Sequence, residues 1–105
     1  MAKAKLSLAD EATFKAKVEI PVPGGKIAEV EWVFAWMERD KFKEFIKNLE
    51  GAEDVDALMD ISRGWDLDDQ FGKAAVEKMV QKYIGAARAV LDKFIAELTG
   101  ARAKN

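Results

Sequence analysis

A chain of 105 residues, half of them hydrophobic and about a third charged, has the composition expected of one globular domain with a modest core. Its formal charge of −2 argues against binding nucleic acid by neutralising phosphates, and no apolar run approaches the roughly 20 residues of a membrane span. With no histidine and no cysteine, the commonest general base, the thiolate nucleophile, disulfides and the usual zinc ligands are all missing.

The first twelve residues, MAKAKLSLADEA, have too little periodicity to assign; Leu6 and Leu8 suit the start of a strand or the cover of an edge. They lack the continuous apolar region of a signal peptide, so the expected compartment is the cytoplasm. From Thr13 the pattern has period 2. Phe14, Ala16, Val18, Ile20 and Val22 alternate with Thr13, Lys15, Lys17 and Glu19, giving a strand with one dry face. Pro21 and Pro23 remove backbone donors and Gly24-Gly25 permits positive φ, so pairing is expected to stop there. A second strand follows from about Lys26 to Trp36, with Ala28, Val30, Trp32, Phe34 and Trp36 on one face opposite Glu29, Glu31 and Val33. The two strands read as a β-hairpin over about residues 13–36. The alternating aromatics could stack on bases or sugars. Flanking glutamates would repel a phosphate backbone, so the aromatics are assigned to the core.

After Met37 the period becomes helical. Phe42, Phe45, Ile46 and Leu49 form a stripe over about residues 40–50, with Asp40 as N-cap and Gly51 beyond the C-terminus. Lysines 41, 43 and 47 interleave with Asp40, Glu44 and Glu50, the pattern of a solvated face and not of a membrane-bound helix. A further helix over about residues 53–63 places Val55, Leu58, Met59 and Ile61 inward, with Glu53 and Asp54 in a first turn that favours negative charge. The segment after it, GWDLDDQF, is acidic. Asp66, Asp68, Gln70 and Glu77 occupy ligand positions of an EF-hand-like loop, but Phe71 stands where the sharp turn requires glycine. No metal site is therefore assigned. Phe71 is expected to pack inward and Asp68 or Asp69 to cap the next helix. Asp66, Asp68 and Asp69 have no accompanying base or phosphate loop, so no catalytic residue is assigned either.

Two amphipathic helices end the chain, over about residues 72–84 and 86–99. Val76, Met79, Val80 and Tyr83 form the first stripe; Ala87, Val90, Leu91, Phe94 and Leu98, widened by Ile95, form the second. Gly85 separates them, as in an αα-hairpin or a bent helix. Stripes this wide need a cover, from the rest of the chain or from another chain. Residues 100–105 carry Arg102 and Lys104 and are expected to fray. The resulting fold class is α+β, an N-terminal β-hairpin followed by about four α-helices in a single domain over residues 1–105. Its expected core includes Trp32, Phe34, Phe45, Leu58, Met79 and Phe94. A lone hairpin is marginal in water, so it should pack on the helices or pair its edge with another copy; a homo-oligomer is expected.

The pieces TFKAKVEIPVPGGK, the aromatic strand leading into RDKFKEFI, ISRGWDLDDQF and YIGAARAVLDKFIAELTGAR occur in this order along nearly the whole chain. Together they resemble the tail assembly chaperones of long-tailed bacteriophages and their prophage relatives. The resemblance implies a non-enzymatic protein without cofactor that binds the tape measure protein, a long helical scaffold, and helps it receive tail-tube subunits. It implies action in the bacterial host cytoplasm, absence from the mature virion, and neither nucleic acid nor membrane as partner. The family-like residues are Gly64, Trp65, Asp66, Phe71, Tyr83, Ala86, Ala87, Val90, Phe94 and Leu98; they build the fold or form the partner surface. Exposed apolar residues of the last two helices are the expected surface, since long apolar helices are held in grooves. The family often has a longer, frameshifted form. Ala103-Lys104-Asn105 can be encoded with the slippery run A AAA AAC, although other codons serve equally. The main alternative is a structural tail completion or connector subunit of the virion; an enzyme or metal module using the acidic turn ranks below it.

Overall fold

The computed structural model describes residues 5–100, in which two long strands are followed by helices and one further short strand. In chain order these are β1 (Thr13–Val22), β2 (Lys26–Ala35), α1 (Arg39–Leu49), α2 (Asp54–Ile61), β3 (Ser62–Trp65), α3 (Lys73–Lys82) and α4 (Ala86–Thr99). The fold is α+β, with an N-terminal hairpin, four helices and a three-stranded antiparallel sheet of order β1-β2-β3. The basic tail after Gly100, with the reading-frame question attached to Asn105, lies outside the described residues.

The alternation in the sequence sets the two sheet faces. Val18, Ile20, Val30, Trp32 and Phe34 are buried against the helices, while Lys15, Lys17, Glu19, Glu29 and Glu31 are exposed on the other face. Pairing runs without a break from Thr13↔Ala35 to Val22↔Lys26. It therefore passes Pro21, where the sequence suggested a stop. β1 is an edge strand, which tolerates a residue without an N–H. The reversal is made at Gly24 and Gly25, whose φ angles of +98° and +73° an L side chain rarely adopts. Ala28, near the turn end of β2, and Trp36, one residue past its other end, are exposed where period 2 alone would bury them.

Phe94 of α4 is fully buried at the centre of the aromatic cluster. Its ring lies 5.5 Å from Phe34, 5.8 Å from Phe45, 6.1 Å from Phe42 and 6.2 Å from Phe14, centroid to centroid. Strand, N-terminal helix and C-terminal helix thus meet on one side chain. Trp32, Phe34, Phe45, Leu58 and Met79 are buried around it, as their spacing indicated. The hairpin packs on the helices chiefly through α4, which begins beside the hairpin's end. A Cβ at Gly85 would lie 3.2 Å from Pro21 Cγ, so glycine is what permits this approach.

Several local readings are corrected. The second helix stops at Ile61, and Ser62–Trp65 pairs with β2 as a third strand, with Trp32↔Trp65, Val33↔Gly64 and a bulge before Phe34↔Ser62. α1 starts at Arg39 with Glu38, not Asp40, as N-cap, and no side chain caps it. Its C-terminal end turns through Glu50 in right-handed conformation, and Gly51 is not among the glycines with positive φ. Neither Asp68 nor Asp69 caps α3; Gly72 is the N-cap, without a side-chain bond, and the Asp69 carbonyl accepts a hydrogen bond from Trp65 Nε1 at 2.7 Å.

Ser62 is the buried polar residue of the core, and its Oγ accepts the Trp32 indole N–H at 2.8 Å. This bond ties β3 to β2 where the bulge interrupts the ladder. Ser62→Ala leaves the indole donor buried without a partner and is expected to cost about 1–3 kcal/mol in urea unfolding. In a Trp32→Phe background the same change should cost far less, because the donor is gone.

Candidate functional site

α2, α3 and α4 each bury part of their apolar stripe and leave part half-buried, Val55 and Met59 on α2, Val80 on α3, and Leu91, Ile95 and Leu98 on α4. Val76 and Met79 of α3 and Ala86, Ala87, Val90 and Phe94 of α4 are buried, so the family-like residues Ala86, Ala87, Val90 and Phe94 lie in the core. Tyr83, half-buried, ends α3, its N–H bonded to the Met79 carbonyl at 2.8 Å. Gly64, Trp65, Asp66 and Phe71 come together in a second structure, a clasp on the outer end of β3. Trp65 lies edge-on between Trp32 (5.4 Å) and Phe71 (5.1 Å). Asp66 donates its N–H to the Glu31 carbonyl at 3.1 Å and accepts the Glu31 N–H on Oδ1 at 3.0 Å, extending the β2–β3 pairing by side chain. The acidic turn is thus employed in folding. Among the described residues no group of three or more His, Cys, Asp or Glu side chains is placed to hold a metal ion.

Accessible apolar surface also lies along α1. Phe45 is its one buried residue, while Phe42 and Leu49 are half-buried and Ile46 is exposed. Between α1 and α2 a cleft of about 320 Å³ is floored by Met37, Phe45, Leu49, Ala57 and Met59. Lys41, Glu44, Asp60 and Arg63 surround it with both signs of charge. Arg63 is held in place: its Nη1 donates to the carbonyls of Ser62 at 2.8 Å and Met59 at 3.1 Å, closing the C-terminal end of α2. At the N-terminal end of α1, beside Arg39, a more open cleft is lined by Phe14, Trp36, Met37 and Leu98, which places Leu98, alone among the family-like residues, near this region. The α1–α2 cleft is open to solvent and not an enclosed cavity, and it can take a few side chains of another protein. An apolar floor that contains methionine, with a mixed polar rim, fits the projecting side chains of an amphipathic helix.

A family model described as phage tail assembly chaperone matches residues 1–105, the whole chain. The chain belongs to this family of phage tail assembly chaperones. Searches of the curated proteins and of the solved structures return no match. A chaperone's work is reversible contact with another protein, and the α1 clefts have the chemistry for that. In the sequence Phe45 and Leu49 belong to the α1 stripe, Met59 is an inward position and Leu98 is family-like, but none marks a cleft, and Met37 stands as an ordinary apolar position. Ile46 and Leu49, at the margin of the α1 stripe, were the available signal.

Proposed function

We propose that this tail assembly chaperone holds amphipathic helical segments of the tape measure protein in the cleft between α1 and α2. It keeps that scaffold soluble until tail-tube subunits assemble around it, acts in the host cytoplasm without catalysis, and is absent from the finished virion. The cleft itself carries this reading: an apolar floor of Met37, Phe45, Leu49 and Met59, open to solvent between two helices. A helical segment of about 20 residues is ~30 Å long. The protein measures 41 × 34 × 30 Å, so such a segment crosses it once. Co-expression with the tape measure protein of the same phage should move that protein into the soluble fraction. If the tape measure protein stays insoluble, or if this chain is found in purified virions, the proposed function is wrong.

We further propose that the working form is a homo-oligomer. Ile84 is 91% exposed next to Gly85, which abuts Pro21, and Pro21 pairs with Ile27, itself 62% exposed. This apolar end is remote in sequence from the α1 cleft and offers a self-contact that leaves the cleft free. Ile84→Glu is expected to lower the mass measured by light scattering. An unchanged mass would place the self-contact elsewhere.

A further inference from the structure

α1 differs from the other helices in what holds it. α2 buries Ala57, Leu58 and Ile61, and α4 buries Ala86, Ala87, Val90 and Phe94, whereas α1 buries Phe45 alone across 11 residues. Among the described residues, no hydrogen bond or ion pair joins α1 to another element. Like the other helices it has no side-chain N-cap, and the turn after it carries Gly51, around which a Cβ would meet nothing within 4 Å. A cleft opens on the flank that faces α2, and another lies beside the first residue of the helix, Arg39. Its ties to the rest of the fold are apolar: Phe42 and Phe45 meet the Phe94 ring, and Leu49 packs on the core. A segment with few buried apolar contacts and no polar ties opens at a lower free energy than the fold as a whole.

We propose that α1 is a hinged cover, moving about Glu38 and Glu50–Ala52, that swings away from α2 and α4 to admit the client. Opening widens the α1–α2 cleft and uncovers the Phe94 ring, while the sheet, β3 clasp and α3–α4 pair stay folded. The ligand this arrangement takes is an amphipathic helix whose apolar face enters between Phe45 and Leu49 of α1 and Ala57 and Met59 of α2. The closed state competes with the client, so the apparent affinity is lowered by the fraction of closed molecules. This inference rests on the client proposed above, but the mobility of α1 can be tested without a client.

Hydrogen exchange with mass spectrometry on the intact chain is the test. Amides of α1 from Phe42 to Leu49 should exchange about 100-fold or more faster than those from Val90 to Phe94 of α4. Phe42→Ala should speed α1 exchange by about 10-fold while leaving α4 within a factor of about 3. Exchange of α1 as slow as that of α4, or a Phe42→Ala effect spread over both, would overturn the hinged cover. The second arm uses fluorescein-labelled peptides of about 20 residues that tile the tape measure protein. For a peptide that binds, Phe42→Ala should tighten binding, because the closed state is disfavoured. Weaker binding would make α1 a fixed wall of the cleft and overturn the proposal. If no peptide binds, the client assignment fails, and the exchange data alone decide for or against the moving helix.

Discussion

Phe94→Ala is expected to destabilise the protein by about 3–5 kcal/mol, the range for removing a fully buried aromatic side chain from a core. The effect falls toward the upper end if the site cannot collapse, and the geometry opposes collapse. Phe94 is 0% exposed and touches rings from β1, β2 and α1, so no single element can close the cavity by shifting. A domain of this size has roughly 5–15 kcal/mol of total stability. The variant should therefore show a much lower urea midpoint or be unfolded outright. Phe94→Leu keeps most of the volume and should cost clearly less. A loss under about 1 kcal/mol for Phe94→Ala would mean that the aromatic cluster does not join strand and helix layers as described.

The other large effect is on binding. Met59→Asp places a carboxylate in the floor of the α1–α2 cleft, where a client's apolar side chain would have to leave it unpaired and desolvated. Affinity for a tape measure peptide should fall by about 100-fold or more, equivalent to ~2.7 kcal/mol or more. Met59 is only half-buried, so the fold should survive, with circular dichroism as the check. Ile84→Asp, at the hairpin end of the protein, should leave affinity within a factor of about 3 when compared per folded chain. Fluorescence anisotropy with labelled peptide measures both. Loss of affinity from Ile84→Asp with Met59→Asp unaffected would move the binding face to the α3–α4 turn.

Much of this fold is legible in the sequence because its elements have clear periods. Ten-residue strands with alternating Lys/Glu and Val/Ile positions, and helices with apolar residues at i, i+3, i+4 and i+7, identify themselves locally. β3 does not. Its four residues, SRGW, are too short to show alternation, and their partners in β2 lie about thirty residues earlier in the chain. Asp66 likewise looks like a loop acid or a ligand until Glu31 is found opposite both its backbone and its side chain. Tertiary placement also decides which ends of a periodic segment are covered, and so Trp36 is 47% exposed although it continues the face of Trp32 and Phe34. The cleft was not legible for the same reason. Leu49 and Met59 become neighbours across a gap only through the angle at which α1 leaves α2, and no local pattern encodes that angle.

The methionines report directly on whether the proposed client lies in the cleft beside α1. The chain has four: Met37 and Met59 line the cleft, Met79 is buried on α3, and Met1 lies outside the described residues. In methyl NMR of the protein labelled at the methionine ε-carbon, titration with a tape measure peptide should shift the Met37 and Met59 signals together while Met79 stays in place. A peptide that binds and leaves both cleft methionines unmoved would contradict the account.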